Sequence, residues 1–331
     1  MQYYGTLGPA CGQVAILEKM FEAGMTGVRM NMSHGNLDEN GHWLELLFEA
    51  AKLRHVEKPQ VLIDLRGPEL RLGKLENEFA VAEGEQVPMG ENALPVPQML
   101  LNYAVVGDHI LLDDGKLEFA VEEVVPAKTG NSTIYTRVLR GGMVKSGKSL
   151  AIVGKELPMP TLTESDLKNI GLASQYGVTG VMQPFVRNKE DLLAVRAALH
   201  EAGADHIEIF AKIENLQGVA ALEELLPHCD HVVIARGDLG NAMPLWLLPG
   251  VQKEIAAKCR AAGKPFMVVT QMLDSMHERA VPTRAEVLDI YNAVLDGAAS
   301  LMLTGETAAG KYPAEAMEYL VKTGEEGLKG R

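Results

Sequence analysis

The chain has 331 residues, of which 47% are hydrophobic and 23% are charged, and its formal net charge is −13. These values are typical of a globular enzyme and exclude a disordered or collagen-like chain. Acidic residues outnumber basic ones by 44 to 31, and we find no run of Lys or Arg that could follow a phosphate backbone. We therefore expect no nucleic-acid partner.

The same composition favours a cytoplasmic protein without a membrane partner. No apolar stretch reaches the length of a membrane span, and the first residues lack both the basic start and the apolar core of a signal peptide. The three cysteines, Cys11, Cys229 and Cys259, are far apart and lack zinc-type spacing. Reduced thiols are therefore expected.

Short apolar runs alternate with amphipathic, helix-like runs such as Val14–Phe21 along the chain. Candidate strands lie near 2–6, 27–31, 60–64, 179–183, 206–212, 231–235, 265–270 and 299–304. Thr163-x-x-Asp166 and Thr283-x-x-Glu286 have the pattern of capping boxes that open helices. Eight strand–helix units of this kind predict an α/β fold, a (β/α)8 TIM barrel.

The alternation is interrupted once, between about 74 and 154, where β-type runs occur without long helical periodicity. Asp113-Asp114-Gly115-Lys116 lies between two of these runs, where a hairpin turn is expected. The sequence thus predicts a barrel from 1–73 and 155–331 with a small all-β lid domain, 74–154, inserted after the third strand. We expect the lid to lie over the carboxyl-terminal face of the barrel and to close on substrate.

Polar residues follow nearly every predicted strand, at the end where barrel enzymes carry their chemistry. Lys212 and Glu214 lie two residues apart and so face the same side of an extended chain, and Asp238 follows the next strand. Two carboxylates and an ammonium can hold a hard dication and meet negative charge on a substrate, which suits phosphoryl or enolate chemistry. The alternative is a solvated Lys–Glu pair and a tight Gly-Asp-Leu-Gly turn.

Several ordered segments resemble the pyruvate kinase family. They are Arg29–Gly35, Asp64–Arg71, Lys212–Asn215, Ala235–Gly240, Gly263–Pro265, Thr270–Met276, Pro282–Glu286 and Gly305–Ala308. The resemblance covers the barrel and, more weakly, the insertion. It implies a phosphotransferase that moves phosphate from phosphoenolpyruvate to ADP, giving pyruvate and ATP in glycolysis.

The resemblance also implies roles for individual residues. Glu214 and Asp238 are similar to the Mg²⁺ ligands, and Lys212 to the lysine that stabilises the phosphoryl group in transit and the enolate. Arg29 would contact the phosphate, while the Gly237 amide and the Thr270 hydroxyl would hold the substrate carboxylate. The implied K⁺ site comprises Asn31, Ser33, Asp64 and the carbonyl of Leu65. The implied nucleotide contacts are His34, Arg71 and Lys148, with Arg71 and Lys148 on opposite sides of the cleft.

Four departures from the family pattern bear on activity: Leu288 and Pro184 replace serines, Ala242 replaces a glutamate, and Ser149–Ala151 replaces a glycine–valine–asparagine turn. They leave two alternatives to the kinase: a Mg²⁺-dependent, enolate-forming lyase or aldolase on the same barrel, and a non-catalytic phosphoenolpyruvate-binding paralog. The family's C-terminal regulatory domain is expected to be absent, so allosteric control by sugar phosphate is not predicted. A homo-oligomer is compatible with the sequence.

Overall fold

The computed structural model describes residues 1–90, 93–113, 115–126, 132–155 and 157–331. In chain order the described strands are β1 (Gln2–Thr6), β2 (Gly27–Asn31), β3 (Gln60–Asp64), β4 (Leu70–Arg71), β5 (Phe79–Val81), β6 (Gln86–Met89), β7 (His109–Leu112), β8 (Leu117–Val125), β9 (Thr133–Arg140), β10 (Gly142–Val144), β11 (Ser149–Ile152), β12 (Gly180–Gln183), β13 (Glu208–Ile213), β14 (His231–Ala235), β15 (Phe266–Val269) and β16 (Ser300–Met302).

The described helices are α1 (Val14–Glu22), α2 (Leu37–Leu53), α3 (Gln98–Tyr103), α4 (Glu164–Leu172), α5 (Lys189–Glu201), α6 (Leu216–Ala220), α7 (Leu222–Leu225), α8 (Arg236–Asn241), α9 (Leu248–Ala261), α10 (Arg284–Leu295), α11 (Gly305–Ala308) and α12 (Pro313–Lys329). Thr163 and Thr283 form the two expected capping boxes, because each hydroxyl accepts the N–H of the acidic residue three positions on and that acid accepts the threonine N–H. Among the described residues, no helix combines the length and the apolar character needed to cross a bilayer.

The chain divides into two compact units, 1–67 with 161–331 (unit 1) and 68–160 (unit 2). The insertion thus begins and ends several residues outside the expected 74–154. Unit 1 is a closed barrel of eight parallel strands in the order β1-β2-β3-β12-β13-β14-β15-β16. Each expected barrel strand is present, with bounds within two residues of those read from the sequence. The predicted (β/α)8 barrel is confirmed.

Apolar side chains fill the barrel on both sides of its strands. The inner layer consists of Tyr4, Leu62, Met182, Phe210, Val233, Ala235, Met267, Val269 and Met302. A larger apolar layer separates the strands from the surrounding helices. Because side chains alternate along a strand, the inward series Leu62, Asp64 on β3 and Phe210, Lys212 on β13 changes from apolar to charged toward the carboxyl end. The barrel interior therefore ends in a polar layer at that face.

Unit 2 has its own apolar core and two antiparallel sheets, one of strand order β4-β11-β7-β8-β9-β6 and the other pairing β5 with β10. Strands β7 and β8 pair with Leu112 opposite Leu117, so the expected hairpin forms around residues 113–116. Asp114 of that turn lies outside the described residues. The expectation of an all-β insertion was wrong in one respect, because the six-residue helix α3 lies in this unit.

Candidate active site

Four charged side chains meet at the carboxyl ends of β2, β3 and β13, and we call them the ion cluster: Arg29, Asp64, Lys212 and Glu214. Arg29 donates from Nε and Nη2 to Asp64 Oδ2 at 2.8 and 2.6 Å. The Lys212 ammonium lies 3.2 Å from both Asp64 oxygens and 2.8 Å from Glu214 Oε1. Glu214 Oε2 accepts the backbone N–H of Phe185 at 2.8 Å. Two cations and two carboxylates thus form a continuous chain.

The ion cluster is almost completely removed from solvent. The side chains of Asp64 and Glu214 are 3% and 1% exposed, and those of Arg29 and Lys212 are 13% exposed. This excludes the solvated Lys–Glu pair that the sequence left open. Four buried charges often contribute less to stability than apolar residues of similar size, even when they are paired, so the arrangement needs a reason beyond folding.

Pairing decides the protonation states in the cluster. Burial favours the neutral form of Asp64, but the positive charges of Lys212 and Arg29 outweigh it and lower the pKa of this carboxyl below its usual value. Burial likewise favours a neutral Lys212, and here Asp64 and Glu214 outweigh it and raise its pKa above the usual value. Lys212 is therefore a fixed ammonium, available to stabilise anionic charge and unsuited to act as a base.

A second feature joins the ends of β14 and β15, where Gly237 and Thr270 lie side by side. A Cβ on Gly237 would stand 3.1 Å from Thr270 Cγ2 and 3.7 Å from its hydroxyl oxygen. Thr270 has a backbone φ of +78°, a left-handed conformation that a β-branched residue rarely adopts. The structure thus brings together the two residues that the resemblance assigns to the substrate carboxylate.

The residues of the implied K⁺ site lie at the ends of β2 and β3. Asn31 is the register partner of Asp64, and its Oδ1 accepts the backbone N–H of Ser33 at 3.1 Å. Leu65 follows directly and is buried. The Asp64 Oδ1 atom is buried and accepts no hydrogen bond from the described residues, and the Lys212 ammonium lies 3.2 Å from it as an ion-pair partner. An oxygen of this kind is what a cation ligand provides.

Other predicted residues are positioned by their local elements. His34 ends a short 3-10 turn, Met32–His34, that follows β2. Asp238 lies in the first turn of α8, directly after Gly237 at the end of β14. Within the described residues, no group of three or more His, Cys, Asp or Glu could hold a metal ion.

The two predicted phosphate contacts Arg71 and Lys148 both belong to unit 2, so the expectation that they flank a cleft from opposite sides was wrong. They lie on and beside the paired strands β4 and β11, where Arg71 is opposite Ser149. Arg71 is 2.5 Å from Glu69 and donates to the Gly147 carbonyl at 2.8 Å. The Lys148 ammonium is 2.9 Å from Asp113. Leu150 of the Ser149–Ala151 segment is buried in the core of this unit.

The remaining departures are Leu288, Pro184 and Ala242. Leu288 lies on α10 and is 59% exposed, and a leucine side chain supplies no hydroxyl for protonation. Pro184 packs where a side chain on Gly67 would be, only 2.4 Å from its Cβ position. Ala242 is the C-terminal cap of α8.

The sequence analysis missed two residues that position the strand-end loops. Arg236 donates from Nε and Nη2 to the Thr270 carbonyl and from Nη1 to Asp289. Asp166, seen in the sequence only as a helix cap, also accepts the backbone N–H groups of Arg66 and Gly67 at 2.7 and 3.1 Å. For Arg236, its position directly before Gly237-Asp238 was a sign in the sequence that it could position the site. Asp166 contacts residues about 100 positions away in the chain, and the sequence has no local sign of such contacts.

The fold and the site together define a (β/α)8-barrel protein with its polar site at the carboxyl ends of the strands. A family model for the pyruvate kinase barrel domain matches residues 2–317. The chain is 39% identical over 324 residues to the pyruvate kinase of Geobacillus stearothermophilus, a match that covers 95% of this chain and 54% of that protein. The pyruvate kinase of Bacillus licheniformis is 38% identical over 325 residues, with 95% and 55% covered. That of Staphylococcus aureus strain MRSA252 is 36% identical over 324 residues, with 95% and 54% covered.

The chain therefore belongs to the pyruvate kinase family, and the resemblance inferred from its motifs is confirmed. It spans about half the length of the curated relatives that it matches.

Proposed function

We propose that this protein transfers the phosphoryl group of phosphoenolpyruvate to ADP, giving pyruvate and ATP. The observation that carries the proposal is the buried Lys212 ammonium between Asp64 and Glu214, with Arg29 beside it at the strand ends. Phosphoryl transfer needs mainly positioning and neutralisation of charge. A lysine whose pKa is raised stays cationic and can stabilise both the moving phosphoryl group and the enolate left behind.

The substrate would lie between the ion cluster and the Gly237–Thr270 pair. Arg29 would contact the transferring phosphate, and its bond to Asp64 fixes its guanidinium at the end of β2. The Gly237 N–H and the Thr270 hydroxyl would both donate hydrogen bonds to the carboxylate of phosphoenolpyruvate. The absence of a side chain on Gly237 keeps the space beside Thr270 open.

Members of this family generally need metal ions, and we assign two of them to residues at the strand ends. Glu214 and Asp238 would hold Mg²⁺, which commonly takes one or two protein carboxylates and fills its other positions with phosphate oxygens and water. Asn31, Ser33, Asp64 and the Leu65 carbonyl would hold K⁺. The buried Asp64 Oδ1, which has an ion-pair contact with Lys212 at 3.2 Å and accepts no hydrogen bond from the described residues, supports this site. When bound, the cations would offset the negative charge of the two substrates.

The charge balance of the ion cluster gives a reason for those cations. Its two positive and two negative side chains sum to zero, so an arriving phosphate meets no net positive charge from the cluster. The cations would supply it. His34, Arg71 and Lys148 would contact the nucleotide, and Lys148 would exchange Asp113 for a phosphate oxygen.

A coupled assay with phosphoenolpyruvate, ADP, Mg²⁺ and K⁺ tests the proposal. Wild-type protein should form pyruvate and ATP, and Lys212→Met should lower turnover on the order of 10²-fold or more, because the ammonium meets charge that develops in the transition state. Phosphoenolpyruvate binding by calorimetry should remain measurable in that variant.

Lys253→Met is the matched control. Lys253 is 60% exposed, and its ammonium lies 2.7 Å from Asp296. This pair is outside the strand ends that form the site, so its loss should leave turnover unchanged. Wild-type protein that forms no pyruvate would refute the proposed function. Near-normal turnover of Lys212→Met would refute the assignment of the lysine.

A further inference from the structure

We propose that Arg236 is a positioning residue that sets the Thr270 hydroxyl and the Gly237 amide for the substrate, a role that rests on the function proposed above. Arg236 is the first residue of α8 and the chain neighbour of Gly237. It therefore touches both members of the Gly237–Thr270 pair, one through the peptide chain and the other through its side chain.

The guanidinium makes a two-pronged contact with the backbone of Thr270. Nε and Nη2 donate to the Thr270 carbonyl oxygen at 3.2 and 2.7 Å, and Nη2 also lies 2.9 Å from Met272 Sδ. Nη1 donates to Asp289 Oδ2 on α10 at 2.6 Å. The side chain is 12% exposed, and Asp289 balances its charge. All three nitrogens are thus engaged, which fixes the plane of the group.

This contact acts on a strained stretch of backbone in the site. Thr270 and Gln271 are consecutive non-glycine residues with φ of +78° and +53°. Such residues keep a left-handed backbone only where the surroundings hold it. The carbonyl that Arg236 holds belongs to Thr270 itself, so the guanidinium fixes the peptide plane that follows this φ angle.

The direction of the Thr270 side chain follows from the same backbone. With φ held at +78°, its hydroxyl and methyl face the position of a Cβ on Gly237 at 3.7 and 3.1 Å. Relaxation of the Thr270 backbone would move its hydroxyl relative to Gly237. A lysine cannot replace Arg236, because an ammonium is a point charge and lacks the planar fork that reaches one carbonyl from two nitrogens.

The test compares Arg236→Lys and Asp289→Asn with a control arginine. Arg236→Lys should lower kcat on the order of 10²-fold, as expected for a displacement of about 1 Å in a reacting group. The KM for phosphoenolpyruvate should rise and the KM for ADP should stay unchanged, because the nucleotide contacts lie elsewhere. Asp289→Asn, which keeps the guanidinium and weakens its orientation, should change the same constants in the same direction by less.

Arg196→Lys is the control, since Arg196 also pairs with an aspartate, Asp230, at 2.7 Å in the same unit, and it is 38% exposed. It should match wild type in every constant. Methylguanidinium should restore part of the activity of Arg236→Ala and none of that of Lys212→Met. A merely structural role for Arg236 would lower thermal stability without the split between the two KM values and without this rescue.

Wild-type kinetics in both Arg236→Lys and Asp289→Asn would overturn the inference. If Arg236→Lys does not fold, Asp289→Asn decides alone. Direct binding of phosphoenolpyruvate separates this failure from failure of the proposed function. Wild-type protein that binds phosphoenolpyruvate without turnover refutes the kinase, and the variants must then weaken that binding. Wild-type protein that neither binds phosphoenolpyruvate nor turns it over refutes both the proposed function and the role of Arg236.

Discussion

Replacing Asp64 by asparagine should destabilise the barrel strongly, because this carboxylate holds two buried cations together. Asp64 is 3% exposed and lies within 3.2 Å of the Lys212 ammonium and 2.6 Å of the Arg29 guanidinium. Its removal leaves the ion cluster with one uncompensated positive charge out of contact with water. Breaking a buried ion pair in this way costs about 3–5 kcal/mol in free energy of unfolding.

The asparagine retains one carbonyl oxygen that can still accept a hydrogen bond from Arg29. We therefore expect the lower end of this range, a loss of about 3 kcal/mol in free energy of unfolding. The assay is urea unfolding at neutral pH, followed by tryptophan fluorescence. The chain has two tryptophans, Trp43 and Trp246, and both belong to unit 1. Trp246 is 81% exposed, so the signal reports the surroundings of Trp43 and hence the barrel alone.

Asp38→Asn is the matched control. Asp38 also pairs with a lysine, Lys168, at 2.7 Å, but both side chains are more than two-fifths exposed. Solvent screens such a pair, so the variant should unfold as wild type does. A loss for Asp64→Asn no larger than that for Asp38→Asn would show that burial of the cluster contributes no pairing energy, and the reasoning from charge burial would fail.

Three further predictions concern pH, thiols and loop anchoring. Folding lowers the pKa of Asp64 below its unfolded value of about 3.9. The contribution of Asp64 to stability is therefore present above that unfolded value and is lost as the pH falls through the folded value. Urea unfolding below about pH 5 should show a shallower dependence on acid in Asp64→Asn than in wild type. Burial raises the pKa of Cys11 and Cys229 to about 11 and that of Cys259 to about 12. At about pH 8 a disulfide reagent should therefore label none of the three thiols in native protein and all three after unfolding. Labelling of native protein would contradict this. Asp166→Asn should leave one of the Arg66 and Gly67 N–H groups without its acceptor and lower the free energy of unfolding by about 1 kcal/mol or more. Trypsin should then cleave the Arg66–Gly67 bond. The control Glu286→Gln, a change in the other capping box, should not alter cleavage there.

The barrel could be predicted from the sequence because its strands are short, apolar and separated by helices of ordinary length. β2 and β3 have the expected bounds, and the charged residues that follow them mark the functional face without any long-range information. Unit 2 was harder to delimit. Its first strand, β4, has two residues and pairs with β11, which lies almost eighty positions further along the chain. No local pattern reports such a pairing.

The same limit explains the errors in unit 2 and the missed contacts. The six-residue helix α3 begins after Pro97 and is too short to show a helical period. Arg71 was assigned to the barrel because its segment continues from β3 without a break in pattern, yet its strand belongs to the insertion. Arg236 and Thr270 are 34 positions apart, and their contact depends on β14 and β15 being neighbours and on a φ angle that the residue type disfavours.

Charged side chains are more exposed at one end of the barrel than at the other, and this difference argues for function at the end where they are buried. At the amino-terminal end, Glu208 on β13 faces His231 on β14, and the two side chains are 50% and 15% exposed. At the carboxyl end of the same strand β13, Lys212 and the adjoining Glu214 are 13% and 1% exposed. Exposed pairs cost little to form, whereas buried ones often contribute less to folding than apolar residues of the same size would. A fold that needed only stability would fill the carboxyl end as it fills the middle, with residues such as Phe210. Buried charges at this end are therefore the expected cost of a binding site, where charged groups are kept for a ligand at some loss of stability.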